Sequence, residues 1–334
     1  MKIGILTVFD AVNYGSFLQA FCLQEYLKKL GHEVIMIKKS SLLYEKWRFT
    51  SLFTYKPNKM GFKYKLTKGY FKSWKLFNTK MHPKELDVLI VGSDEMWELN
   101  NITFEPLPEY FGNKIKAKKK VTYAVSSNST KKEDILRYPF IQDGLKKFSS
   151  IAIRDRSTYE AYAPYLTVSP QYTLDPTLII DIEKYLIKPD FSNYILCYTY
   201  SFKDYMIEAV KKLANFTGKK IVVAGQNYKW ADICIPATPF EFLGLIKAAD
   251  FVVTDTFHGT TLSIALKQEF VSFAYKPKVY RALEQFNLLD RNSNDHSELI
   301  DFYNKKINYS EVYGTYVEPL LKESLSYLKN AIGE

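Results

Sequence analysis

Short apolar runs, each followed by apolar residues at helical spacing, recur through this chain, and that alternation is what parallel sheets covered by helices require. Residues 3–9 read as a buried strand. Beyond the polar turn Asp10 to Gly15, the residues Leu18, Phe21, Cys22, Tyr26, Leu27 and Leu30 fall at helical spacing, and Gly31 closes the helix. Further strands are expected at 34–37, 88–91, 121–125 and 151–153, completing a first Rossmann-like half that ends near residue 175.

Leu174-Asp175-Pro176-Thr177, followed by Lys188-Pro189-Asp190, breaks local structure twice and reads as a linker. A second alternating set begins after it, with strands expected at 195–199, 221–223, 251–253 and 270–273. Thr238-Pro239-Phe240-Glu241 marks a helix start: a capping Thr, a Pro at the first helical position and a Glu three residues after the cap. Helices over 295–306 and 318–331 end the chain. The fold class is therefore α/β, with two Rossmann-like domains: residues 1–178, carrying a basic aromatic insertion at about 38–84, and residues 179–334.

Composition narrows the class. Hydrophobic residues make up 47% of the chain and charged ones 25%, enough apolar material for a packed core, which excludes disorder as the main state. The net charge is +10, and it is local: from Lys38 to Lys84 there are thirteen Lys and Arg against one acid, Glu45. A chain-wide nucleic-acid binder is excluded, and a local basic surface is expected. Aromatic residues, from Tyr44 through Tyr55 to Phe77, interleave those charges. They suit either amphipathic helices packing their rings on the first domain, or a face for an anionic membrane or an acidic glycan. Cys22, Cys197 and Cys234 are odd in number and far apart, so no disulfide scaffold, zinc module or other metal site is expected. The opening residues lack a signal-peptide pattern and no stretch reaches membrane-span length, so the expected location is cytoplasmic, with the basic segment as a peripheral contact for the inner membrane face.

Four polar clusters stand at expected strand ends, where loops and helix N-termini converge in such folds. Asn13-Tyr14-Gly15-Ser16 can turn the chain and cap the next helix, or offer amides to an anion. Gly92-Ser93-Asp94-Glu95-Met96-Trp97 admits two readings, Ser93 or Asp94 as a cap with Trp97 as core, or all three as site residues. Arg154-Asp155-Arg156 is either a surface pair or a bidentate holder for a carboxylate or phosphate. The most informative run is Thr254-Asp255-Thr256-Phe257-His258-Gly259-Thr260-Thr261, which sets a His where a strand ends and a helix begins. Of the other three histidines, His32 follows a helix-closing Gly, His82 precedes Pro83, and His296 lies in a polar stretch.

Together these fragments resemble the polysaccharide pyruvyl transferase family, in the family's order and over nearly the whole chain. Its carriers are Asn13 to Ala20, Val91 to Trp97, Tyr123-Ala124-Val125-Ser126, Ile153-Arg154-Asp155, Leu174 to Thr177 and Thr254 to Gly259. The resemblance implies a fold similar to B-type glycosyltransferases, two domains facing across a cleft, with the last helix returning to the first domain. It further implies transfer of pyruvate from phosphoenolpyruvate onto a sugar as a ketal, the acceptor being a glycan or lipid-linked glycan and no cofactor being needed. His258 and Arg154 match family positions associated with the donor site. Thr256 stands where many relatives have Arg, and Lys278 stands where another Arg is usual, with Arg281 three residues on.

If the donor is phosphoenolpyruvate, its two acidic groups need cations and amides: Arg154, Lys278 or Arg281, and the helix starts at Gly15-Ser16 and Gly259-Thr260. His258 is the expected general acid, and Asp94 or Asp255 the base. Asn13, Ser93 and Trp97 are the expected acceptor contacts. Two other functions fit the same outline: a sugar-nucleotide glycosyltransferase, and a noncatalytic glycan-binding relative.

Overall fold

A strand that is apolar on both faces is stable only between two helix layers, and the central strands of this protein are of that kind. The computed structural model describes residues 1–53, 56–101, 105–293 and 299–334; Tyr55, His296 and the start of the helix expected over 295–306 lie outside them. The chain divides into two compact units. Unit one is Met1–Leu52, Trp74–Ile180 and Leu320–Glu334, and unit two is Phe53–Ser73 and Asp181–Pro319.

The sheet of unit one contains β1 (Lys2–Leu6), β2 (Glu33–Ile37), β3 (Thr79–Lys80), β4 (Leu86–Val91) and β5 (Ala117–Thr122), in the order β3-β2-β1-β4-β5. All pairs are parallel; Gly4, for example, lies opposite Ile35 on one side and Leu89 on the other. A short parallel pair, β6 (Ala152–Ile153) and β7 (Gln171–Tyr172), adjoins through the bridges Val121–Ser150 and Val125–Ile153. Unit two repeats the plan with β8 (Tyr194–Tyr198), β9 (Lys220–Ala224), β10 (Ile233–Ile235), β11 (Phe251–Thr254) and β12 (Phe270–Ser272), all parallel, in the order β10-β9-β8-β11-β12. Each unit thus winds outward from its first strand in one direction and then resumes on the other side. This is the doubly wound, Rossmann-like arrangement.

The strands that the pattern misses, β3, β7 and β10, are two or three residues long, and the first two carry no aliphatic residue. Thr79 and Lys80 of β3 are both exposed, and β7 has only Gln171 and Tyr172. β5 starts earlier than expected, at Ala117, because Lys118, Lys119 and Lys120 are strand residues, the last two paired with Val88 and Leu89 of β4. The first strand stops at Leu6 rather than Phe9, since the Thr7 hydroxyl turns to donate to the Ser93 carbonyl at 2.8 Å. Asp175-Pro176-Thr177, expected in a linker, is buried in unit one, and the division falls after Ile180.

The basic segment folds as two helices. α1 (Tyr14–Lys29) precedes them; α2 (Leu42–Ser51) is capped by Ser41, whose hydroxyl accepts the Tyr44 N–H at 3.1 Å, and α3 spans Pro57–Trp74. The segment is not one insertion of the first domain, because α2 counts with unit one whereas α3, up to Ser73, counts with unit two. α3 buries Leu66, Gly69, Tyr70 and Ser73, and at Gly69 a Cβ would stand 2.9 Å from Thr238 Cγ2, so the helix seats close to that residue. Thr238 and Glu241 form the expected reciprocal capping bonds of the helix Pro239–Ala248. The last helix, Glu318–Ile332, is fixed on unit one: Tyr327 donates its hydroxyl to the Thr122 carbonyl at 2.9 Å, and the Leu174 N–H donates to Ser324 Oγ at 2.9 Å. No described helix is long and apolar enough to cross a membrane.

Two glycines inside helices give opposite expectations. A Cβ on Gly244 would sit 1.8 Å from the Ile187 carbonyl oxygen, whereas one on Gly61 of α3 meets nothing within 4 Å. Gly244→Ala is expected to destabilise the fold through overpacking by about 1–3 kcal/mol, lowering the melting temperature. Gly61→Ala should stabilise it through helix propensity by about 0.5–1 kcal/mol, raising that temperature. Thermal unfolding followed by circular dichroism checks both signs.

Candidate functional site

In doubly wound sheets, ligands gather beyond the carboxyl ends of the strands where the winding direction reverses. That point lies between β1 and β4 in unit one and between β8 and β11 in unit two. The motifs singled out in the sequence stand largely at these two places.

In unit one, Asn13 caps α1, its Oδ1 accepting the Ser16 N–H at 3.2 Å. The exit of β4 turns at Gly92, where φ is +110° and a Cβ would stand 2.3 Å from the Tyr123 carbonyl oxygen; only glycine fits. Side chains lace the two exits together. The Ser16 hydroxyl donates to Asp94 Oδ2 at 3.3 Å, and the Ser93 hydroxyl donates to Gln19 Oε1 at 2.5 Å. Arg154, entering from the end of β6, is buried: Nη1 donates to Asp175 Oδ2 at 2.9 Å, and Nη2 lies 3.7 Å from Asp94 Oδ1. Burial alone would lower the pKa of this guanidinium, but Asp175 and then Asp94 hold it above its ordinary value. Asp155 caps the following helix, accepting the Thr158 N–H at 2.9 Å and the Ser126 hydroxyl at 2.5 Å. Its burial opposes ionisation, yet Arg154 and these donors keep its carboxyl below the usual range. Arg156 is the surface partner, exposed and paired with Glu160 at 2.8 Å.

Two expected acceptor contacts are corrected here. Trp97 is a core residue, fully buried, with its indole N–H donating to the Tyr110 carbonyl at 3.0 Å and its ring centroid 4.9 Å from that of Tyr162. Its backbone N–H binds the Ser126 carbonyl at 3.1 Å, and the ring packs into the apolar cluster below the turn. Ser93 is likewise fully buried, with its hydroxyl committed to Gln19.

In unit two, Thr254 at the end of β11 donates its hydroxyl to the Tyr198 carbonyl at 2.7 Å, tying the β11 and β8 exits. Thr256 caps the helix Phe257–Ala265 by accepting the Gly259 N–H at 2.8 Å. A Cβ at 259 would meet Thr254 Oγ1 at 2.1 Å and Thr256 Oγ1 at 2.6 Å, which explains the glycine after His258. Thr260 is fully buried and spends its hydroxyl on the Thr256 carbonyl at 3.0 Å, with Ser272 Oγ 2.7 Å away. The expected donor contacts through the Gly259 amide and Thr260 hydroxyl are therefore corrected: both groups close the helix's own first turn. His258 is the second residue of this helix, buried, with Phe257 edge-on at 5.1 Å between centroids.

Asp255 is buried beside that helix start. Burial pushes its carboxyl pKa up, while Lys276, backbone donors and Lys203 pull the other way. Both lysines lie over exposed rings: Lys276 Nζ is 4.9 Å from the centroid of Tyr200, and Lys203 Nζ is 4.4 Å from that of Tyr275. Gln226 fixes the β8 exit, its Nε2 donating to the Thr199 and Tyr200 carbonyls at 3.0 and 2.9 Å. Lys278 and Arg281 are half-buried on the next helix, Pro277–Gln285.

Sequence reasoning missed Lys203, Lys276, Gln226 and the partnership of Asp175 with Arg154. Lysines shortly after the ends of β8 and β12, the neighbours of β11, were the available signal for the first two. Among the described residues, no group of three or more His, Cys, Asp or Glu is placed to hold a metal ion.

Solved structures share this architecture. A UDP-GlcNAc 2-epimerase from Methanocaldococcus jannaschii superposes with a TM-score of 0.52 at 12% identity, over 98% of this chain and 100% of that one. The UDP-GlcNAc 2-epimerase from Neisseria meningitidis gives 0.50 at 11% identity, over 99% and 100%. At such identities the likeness concerns the fold alone, that of two Rossmann-like domains as in B-type glycosyltransferases. No protein of curated function matches in sequence. The polysaccharide pyruvyl transferase pattern, however, matches residues 13–277, spanning all six fragments, and by that match the chain belongs to the polysaccharide pyruvyl transferase family, a family of transferase enzymes.

Proposed function

We propose that this protein transfers pyruvate from phosphoenolpyruvate onto a sugar of a cell-surface polysaccharide or its lipid-linked precursor, as a ketal. The observation that carries the reading is the β11 exit of unit two, where His258, buried Asp255 and the ammonium groups of Lys203 and Lys276 attend one helix start. Phosphoenolpyruvate is small and carries a carboxylate and a phosphate, so compact cations suit it. In this chain Thr256 caps the helix where many relatives have Arg, and Lys203 and Lys276, with Lys278 or Arg281, supply positive charge from neighbouring loops and the next helix.

His258, protonated, donates to the vinyl carbon, leaving cationic character on the carbon that bears the phosphate. A sugar hydroxyl adds there, and its proton passes to Asp255, a base whose affinity for protons burial increases. Phosphate departs with the electrons of the C–O bond and takes up the proton held by Asp255, and a neighbouring hydroxyl closes the ketal, its proton returning to His258. The route draws on no cofactor besides the donor. In unit one, Arg154 acts as a positioning residue that holds Asp94, and Asp94 in turn accepts the Ser16 hydroxyl at the start of α1, beside Gly15 and the capping Asn13.

His258→Gln should keep the fold and donor binding while lowering turnover about 100- to 10,000-fold, measured as pyruvylated glycan by mass spectrometry. Equal rates for variant and parent would remove His258 from the chemistry.

For Asp255 the sign is set by burial. Its folded-state pKa is raised, so between the ordinary carboxyl value and the raised one the folded chain binds more protons than the unfolded chain. Stability from this group is therefore greatest at low pH and is lost as pH rises through that window. Asp255→Asn should flatten that decline, leave the neutral-pH melting temperature equal or higher, and still reduce turnover. A lower melting temperature at neutral pH would show that the ionised carboxylate is structurally required.

Phosphoenolpyruvate at 100 times its dissociation constant should stabilise the protein by about 2.7 kcal/mol in a thermal-shift panel. Stabilisation by uridine or guanosine diphosphate in its place would favour the sugar-nucleotide glycosyltransferase, and binding without product the noncatalytic relative.

A further inference from the structure

We infer that the outer face of α3 docks on the surface of an anionic lipid bilayer. The inference is independent of the reaction proposed above. α3 carries five lysines and no acid over its whole length. Its inner face is spent on unit two through Leu66, Gly69, Tyr70 and Ser73. The opposite face presents Met60, Tyr64 and Phe71, exposed by 57%, 66% and 49%, among Lys65, Lys68 and Lys72.

Lys65, Lys68 and Lys72 follow one another at spacings of three and four, so they are neighbours on the helix surface, and like charges there repel. A helix serving only as a solvated cover would alternate signs; here no acid offsets the repulsion, and an anionic surface would. Charge alone would equally suit a soluble polyanion. The three large apolar side chains decide between them, because they gain from leaving water only where the partner has an apolar layer beneath its charges, as at the headgroup boundary of a bilayer.

The test is sedimentation of the full chain with vesicles of phosphatidylcholine alone or mixed with phosphatidylglycerol. Partition into the anionic vesicles, weakening with added salt, is expected. Lys65→Gln/Lys68→Gln/Lys72→Gln should weaken it about a hundredfold, from the worth of a lysine near an anionic surface. Met60→Ser/Tyr64→Ser/Phe71→Ser should remove what binding survives high salt. All six positions are exposed, so the melting temperature should hold. No partition by the parent, equal partition into neutral vesicles, or unchanged partition by the lysine variant would overturn the inference. So would binding to a soluble acidic polysaccharide without binding to vesicles.

Discussion

The buried guanidinium of Arg154 is the constraint around which unit one is arranged. A charge taken out of water is tolerated only with close, well-placed partners, and here these are Asp175 at 2.9 Å and Asp94 at 3.7 Å. Each partner brings a segment with it. Asp94 fixes the glycine turn after β4 and, through Ser16, the start of α1; Asp175 holds the turn before unit two begins; Asp155, next to Arg154, receives Ser126. Five of the six fragments by which the sequence resembles its family therefore meet in one polar assembly, and removing any one would strand a buried charge or donor.

The two units share a strand order but use their reversal points differently. In unit one the polar groups largely satisfy one another. In unit two the backbone is locked by Thr254, Thr256 and Gly259, while Asp255 keeps a carboxyl whose ionisation burial opposes, with exposed lysines and tyrosines about it. A locked scaffold beside a perturbed titratable group suits general acid–base chemistry, and it is why His258 and Asp255 are the residues proposed for it.

Much of this was legible in the sequence. Buried strands such as β4 and β11 announce themselves through short apolar runs, Val88 to Val91 and Phe251 to Val253, and the Thr238–Glu241 capping box follows from local chemistry alone. What was not legible depends on tertiary contact. Nothing local distinguishes Trp97 in a core from Trp97 at a ligand; the inward packing of its ring does. Asp175 sits in an Asp-Pro-Thr turn that reads as a linker, and only Arg154, 21 residues away, makes it a buried ion partner. The lysines of β5 hid the start of that strand because their charged heads mask residues that pair with β4. The basic segment looked like one insertion because composition is continuous across a boundary that packing creates.

The claim that matters most is that a proton is delivered to the vinyl carbon of phosphoenolpyruvate and the resulting group is kept as a ketal. Turnover in heavy water with a panel of glycan acceptors, read by mass spectrometry, tests it directly. The account predicts a pyruvyl ketal whose methyl group carries a deuterium from the solvent, with release of inorganic phosphate. Phosphate release without a ketal on any acceptor, or a transferred group that keeps its vinyl carbon unprotonated, would contradict it.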